Sequence, residues 1–168
     1  MHPPTTSKQE GELVKLQFPL VLTLVVCVAA ATPFAAATDV NVGHWKLNAE
    51  KSTGAVFKSG TVEIEAHGEG VKTTVDLVKP DGTPSRWSFT ANYDGKDNPI
   101  TGDCPFGNAV ALTRVNTHTT RGTTKQDGKV TLTQTAVISP DGKTRTLTSK
   151  GKDAKGNPIA STTVYDRQ

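Results

Sequence analysis

Turn-forming pairs recur along this chain at a near-constant interval, and that interval restricts it to short antiparallel strands. The pairs are Glu69-Gly70, Asp81-Gly82, Asp94-Gly95, Gly107-Asn108, Asp127-Gly128, Asp141-Gly142 and Lys155-Gly156, most of them about 12 to 14 residues apart. Asn116-Thr117 divides the one long interval. Glycine reaches positive φ without a Cβ clash, and an Asp side chain bonds its own backbone, so such pairs favour hairpin loops.

Between the turns the residues alternate. Val62, Ile64 and Ala66 share one face, with Glu63, Glu65 and His67 on the other. Val71, Thr73, Val75 and Leu77 share a face, as do Trp87, Phe89 and Ala91, and as do Val130, Leu132, Gln134, Ala136 and Ile138. A period of two with one apolar face describes sheet wetted on one side only. No window reads as an amphipathic helix, although Ala49 to Lys58 has room for one turn. About eight to ten strands in sequential order predict an all-β fold, a single up-and-down antiparallel barrel, which leaves no open sheet edge.

The barrel is predicted over residues 38–168. Residues 1–37 read as a secretory signal peptide: Lys15, an apolar run from Phe18 to Ala31, then Ala35-Ala36-Ala37, with cleavage after Ala37. A membrane anchor needs about 20 apolar residues, and this run is shorter and bracketed by Pro19 and Pro33. Leu24-Val25-Val26-Cys27 resembles a lipobox loosely, which would make Cys27 a lipidated residue. Cleavage at Ala37 places the domain in the periplasm or outside the cell. Net charge is +3, and no basic cluster or aromatic-basic interleaving accompanies it, which argues against a nucleic-acid partner. The mature part holds one cysteine, Cys104, which cannot staple the domain internally. It is either a buried, inert thiol in a monomer or an exposed one that joins a dimer.

No catalytic motif stands out. There is no Gly-x-Ser-x-Gly, and Cys104 has no local cue for activation. His44, His67 and His118 are not at metal-ligand spacing, and the oxygen-rich run Asp94, Asp97, Asn98 and Asp103 lacks the order of a calcium loop and reads as turn chemistry. No metal or cofactor is expected. Candidate ligand contacts come from the inward faces. Trp87 and Phe89 supply aromatic wall or plain core. Gln134 lies between apolar residues and must be hydrogen-bonded if buried, to a ligand or to its neighbours. Arg114 shares the face of Val110 and Leu112. It is either an interior clamp for an anionic ligand or, if the strand ends early, a rim residue.

Gly43-x-Trp45 on the first strand, the meander, and the terminal Thr163-Val164-Tyr165-Asp166-Arg167 resemble the calycin barrels: lipocalins, fatty-acid-binding proteins and avidins. The chain also resembles a group of small secreted bacterial proteins of unassigned function. They share a Gly-x-Trp-x-Leu-Asn opening (Gly43–Asn48), an Asp-Gly-Lys-Asp-x-Pro centre (Asp94–Pro99), an Asp-Gly-Lys-Thr hairpin (Asp141–Thr144) and a Val-Tyr-Asp-(Lys/Arg)-Gln end (Val164–Gln168). The calycin resemblance implies that Trp45 plugs the closed end beside Gly43, that Arg167 packs over Trp45, and that Tyr165 faces a ligand. Two features depart from it. Ala49 to Gly60 is too short for the helical pair of fatty-acid-binding proteins, and Thr163 stands where they carry a carboxylate-binding Arg. The function implied is an extracytoplasmic, non-enzymatic small-molecule-binding module. The alternative is an envelope interaction or structural protein with a filled barrel.

Overall fold

The computed structural model describes residues 39–168, which are strands and turns throughout. The predicted leader, its cleavage site and Cys27 lie outside the described residues. Nine long strands and two short ones follow in chain order: β1 Gly43–Thr53, β2 Ser59–His67, β3 Gly70–Val78, β4 Pro84–Asn92, β5 Asn98–Pro99, β6 Thr101–Gly102, β7 Ala109–Asn116, β8 Thr119–Gln126, β9 Lys129–Ile138, β10 Thr144–Lys152 and β11 Pro158–Arg167. They form one antiparallel sheet in the order β5-β7-β8-β9-β10-β11-β1-β2-β3-β4-β6. The expected all-β, up-and-down barrel is therefore what this sequence forms. It is nearly closed, since β4 and β7 flank a seam that they do not bridge themselves. Instead β6 pairs with β4, β5 pairs with β7, and Asp94 bridges Thr113 across the seam.

The turns form as the Asp-Gly chemistry requires. Asp81, Asp94, Asp141 and Asp153 each accept the backbone N–H two residues on, at 2.8, 3.0, 3.0 and 2.9 Å. Asp127 and Gly128 take φ of 50° and 78° in the two-residue loop between β8 and β9, which suits the twist of paired strands. One turn is displaced by a residue. Gly68 and Glu69 make the loop, and Gly70 opens β3. There a Cβ would lie 2.1 Å from the Ala91 carbonyl oxygen, so close β3–β4 pairing accounts for that glycine. The other departure is Ala49 to Lys58. It forms no helical turn: the segment runs on as β1 to Thr53 and then as a loop, and pairing to β11 shifts between Asn48 and Thr53. Ser52 Oγ fills the break, donating to the Asn48 carbonyl at 2.6 Å and accepting the Val164 N–H at 2.9 Å.

Two ends follow from the alternation of strand direction. At one end lie the start of β1, the end of β11 and the β2–β3, β7–β8 and β9–β10 turns. At the other lie the β1–β2, β3–β4, β8–β9 and β10–β11 loops. The first end is closed. Trp45 is 0% exposed there and its indole N–H donates to the Asn41 carbonyl at 2.9 Å. The guanidinium of Arg167 sits 4.2 Å from the Trp45 ring centre. It donates to the carbonyls of Gly142, Val42 and Val40 at 2.6, 2.7 and 2.6 Å. A Cβ on Gly43 would meet this guanidinium at 2.3 Å. The Gly-x-Trp pattern is thus explained by one close approach: the glycine leaves the space in which the arginine lies over the tryptophan.

Candidate functional site

Inside the barrel is a cavity of about 120 Å³. Its wall is mainly apolar on the β2–β4 side and mixed on the β8–β11 side. From β2, β3 and β4 come Val62, Thr73, Val75, Leu77, Trp87 and Phe89; from β8 to β11 come Thr120, Thr124, Gln134, Ser149, Ser161 and Thr163 among Leu132, Ala136, Leu147 and Ile159. Most of the hydroxyls come from the threonine- and serine-rich later strands, where they share the inward positions with apolar side chains.

Towards the open end the cavity is covered by aromatics. Phe57 in the β1–β2 loop, Trp87 on β4 and Phe106 in the segment before β7 pack with ring centres 5.9 to 6.1 Å apart. Phe57 and Phe106 are both buried. Sequence reasoning missed these two phenylalanines because they lie in loops, where alternation gives no face. A bulky aromatic in each of two short connections, beside Val56 in one and Cys104 in the other, was the available signal.

Trp87, Phe89, Gln134 and Tyr165 all line this cavity. Gln134 donates from Nε2 to Ser149 Oγ at 3.2 Å, so its amide is held by a neighbouring strand. Tyr165 is 4% exposed; burial first of all pushes its phenol pKa up. No hydrogen bond among the described residues occupies its hydroxyl.

Arg114 does not line the cavity. It lies at the rim, where the β7 pairing becomes irregular between Arg114 and Asn116. There it binds Asp39 through both terminal nitrogens and lies 3.9 Å from the Tyr93 ring centre. Tyr93 donates its hydroxyl to Asp39 at 2.6 Å. These contacts strap residues 39–42 across the closed end. Burial raises the Asp39 pKa, but Arg114, Tyr93 and the Asn41 N–H together outweigh it, so the carboxyl titrates below its usual range. Tyr93 is pushed up to about 12, by burial first and then by Asp39.

The depressed Asp39 pKa fixes the sign of an acid effect. A group with a lowered folded-state pKa stabilises the fold above its unfolded value, about 3.9, and loses that contribution as pH falls through the folded value. Denaturant titrations from pH 7 to 2.5 are expected to show wild type losing the Asp39 contribution below about pH 4. Asp39→Asn should be less stable at pH 7 and flatter on the acid side. Parallel profiles for the two proteins would exclude Asp39 as the linked group.

The cavity's one guanidinium comes from a residue that the sequence reading passed over. Arg145 lines the interior from the second position of β10, opposite Tyr165 on β11 and Ile138 on β9. The residue is half-buried, and burial lowers its pKa, partly offset by Tyr165 and Tyr93. Its guanidinium carbon lies 5.6 Å from the Tyr165 ring centre. Nε has no hydrogen-bond partner, and no carboxylate among the described residues pairs with it. The signal lay in Arg145-x-Leu147-x-Ser149, three inward positions at a period of two, with threonines opposite.

Cys104 is partly buried, packs against the hydrophobic cluster and lines the same cavity. Burial chiefly raises its thiol pKa. A dimer through Cys104 finds no support in this placement, because the thiol faces inward. Asp94, Asp97 and Asp103 serve turns and surface lysines: Asp94 accepts the Lys96 N–H, Asp97 pairs with Lys125 at 2.8 Å and Asp103 with Lys79 at 3.8 Å. No helix among the described residues is long and apolar enough to cross a membrane.

Residues 39–168 thus form a nearly closed antiparallel β-barrel with an interior cavity lined by apolar and polar side chains. No family model and no curated protein matches it. Among solved structures it is similar to zebrafish ileal bile acid-binding protein complexed with cholic acid, with a TM-score of 0.46 and 13% identity. That match covers 77% of this chain and 99% of that one. A likeness at this level carries no argument about what this barrel holds.

Proposed function

We propose that this protein is a non-enzymatic small-molecule-binding module that works outside the cytoplasm. The observation that carries the reading is the cavity inside the barrel, mainly apolar with a few hydroxyls, one amide and one guanidinium among its lining. Small-molecule sites are built in this way, from an apolar lining with a few placed polar groups. The size is sufficient for a small guest, since an apolar cavity of about 150 Å³ holds benzene. The extracytoplasmic placement rests on the leader-like residues 1–37. Cleavage after Ala37 would leave Asp39, and with it the strap over the closed end, in the mature chain.

The same volume favours a second reading. Drug-sized ligands occupy pockets of about 300–1,000 Å³, so a nearly filled barrel also suits an envelope protein that acts through its outer surface. Native and denaturing mass spectrometry of protein isolated from its own host's envelope fraction separates the two. An added small mass lost on denaturation is expected, on a chain that begins at Thr38. A bare mass, with no binding of small apolar compounds by titration, would favour the interaction protein. An intact leader on a cytoplasmic protein would overturn the placement.

A further inference from the structure

We infer that the interior selects a small monocarboxylate with an apolar body of about one ring or six carbons, and that Arg145 receives the carboxylate. This rests on the binding-module reading and narrows it to a ligand class.

Three observations lead there. The first is the state of Arg145. A guanidinium carries five donors and keeps its charge in proteins. The contrast with Arg167 is instructive, since that side chain satisfies its donors on three carbonyls. Arg145 lines the cavity with Nε buried and unpaired, the Tyr165 ring 5.6 Å from its guanidinium carbon and no carboxylate among the described residues beside it, and a charge held inside without a countercharge is costly to the fold. An arginine so placed is complete only when an anion joins it, and a carboxylate matches its planar fork.

The second observation is the balance of charge. Arg145 is the only charged side chain among the cavity-lining residues described. One cation in an otherwise uncharged interior is neutralised by one negative charge. A dianion would leave a charge uncompensated, and a cationic ligand would add a second.

The third is size and direction. Arg145 and Tyr165 lie near the closed end, on the second residue of β10 and the third from the end of β11. Tyr165 lines the same cavity, and no hydrogen bond among the described residues occupies its hydroxyl donor. Phe57, Trp87 and Phe106 cover the opposite end. The carboxylate therefore points to the closed end and the apolar body lies against Val75, Leu77 and the aromatics. A volume of about 120 Å³ fits benzoate or hexanoate and is too small for a long-chain acid or a sterol.

The test is calorimetric titration of the full chain at pH 7 with benzoate and hexanoate. The comparison compounds are benzyl alcohol and hexanol, which have the body without the charge; acetate, which has the charge without the body; and dodecanoate. Wild type is expected to bind benzoate or hexanoate at least about tenfold more tightly than the matching alcohol and than acetate. Arg145→Met should abolish that preference while still admitting the alcohols. It should also raise the melting temperature of the ligand-free protein, because it replaces an unpaired charge with an apolar side chain of similar length. Arg145→Gln provides a second, polar variant with the same expected loss of preference.

Equal binding of acid and alcohol would overturn the carboxylate assignment and leave the binding module standing, as would a lowered melting temperature in Arg145→Met. Tighter binding of dodecanoate than of hexanoate would overturn the size limit. Acetate binding as well as benzoate would mean a bare anion site. No binding of any acid or alcohol would overturn the module itself.

Discussion

Trp45→Ala is expected to cost about 3–5 kcal/mol, near the upper end for a single core substitution. Three losses combine. The indole is fully buried at the closed end, so its removal leaves a ring-sized void that strands β1, β2 and β11 cannot collapse into while they remain paired. The Asn41 carbonyl loses its 2.9 Å donor inside the protein, where an unmet acceptor is costly. Arg167 loses the face it rests on, a contribution of about 0.5–2 kcal/mol. With total stabilities of about 5–15 kcal/mol typical of domains, the variant is expected to be marginal. Urea denaturation followed by circular dichroism measures the difference. Trp45→Phe should recover roughly half of it, because the void shrinks but the donor stays missing. A loss below about 1 kcal/mol for Trp45→Ala would mean that the indole does not fill the closed end.

Arg167→Ala is the second large effect, expected at about 3 kcal/mol. The side chain ties three separate pieces of backbone: the β9–β10 loop at Gly142, and Val40 and Val42 of the strap. Bonds from a charged donor contribute about 1.5–3 kcal/mol each when broken singly, and breaking all three together is less than additive because the strap can detach and reach water. Arg167→Lys should rescue less than half, since an ammonium cannot reproduce the planar fork or lie flat on the indole. The double variant with Trp45→Ala should be less destabilised than the sum of the two, by about 0.5–3 kcal/mol, because the residues act on one another. Strict additivity would show that the arginine and tryptophan are independent.

How far the sequence could be read depended on whether each feature is local. Asp141-Gly142 needs only its own residues to make a turn, and Val71, Thr73, Val75 and Leu77 need only alternation to declare a face. Turns and faces were therefore legible, and with them the barrel. The interior was harder. Val110, Leu112 and Arg114 alternate as well as Arg145, Leu147 and Ser149 do. By alternation alone both arginines fall on the apolar face of their strands, one at the end of β7 and the other near the start of β10. What separates them is where each strand ends and what lies across from it. Asp39, 75 residues earlier in the chain, draws Arg114 to the rim. Arg145 stands across from Tyr165 and Ile138, has no carboxylate among the described residues to draw it out, and stays within. The strap itself was invisible, because Asp39 to Val42 has no pattern until Arg114 and Arg167 are in position.

The pairing of β1 with β11 has a consequence for the order of events during synthesis. Most other long strands pair with a chain neighbour through a short turn, so their hairpins can form as soon as they emerge from the ribosome. The first strand has β2 on one edge, but its other partner is the last strand made. Trp45 therefore stays without its cover until Arg167 has been added, and loop closure over nearly the whole domain is deferred to the end. A chain built in this way cannot lock its barrel until the last strand of the domain is free to pair.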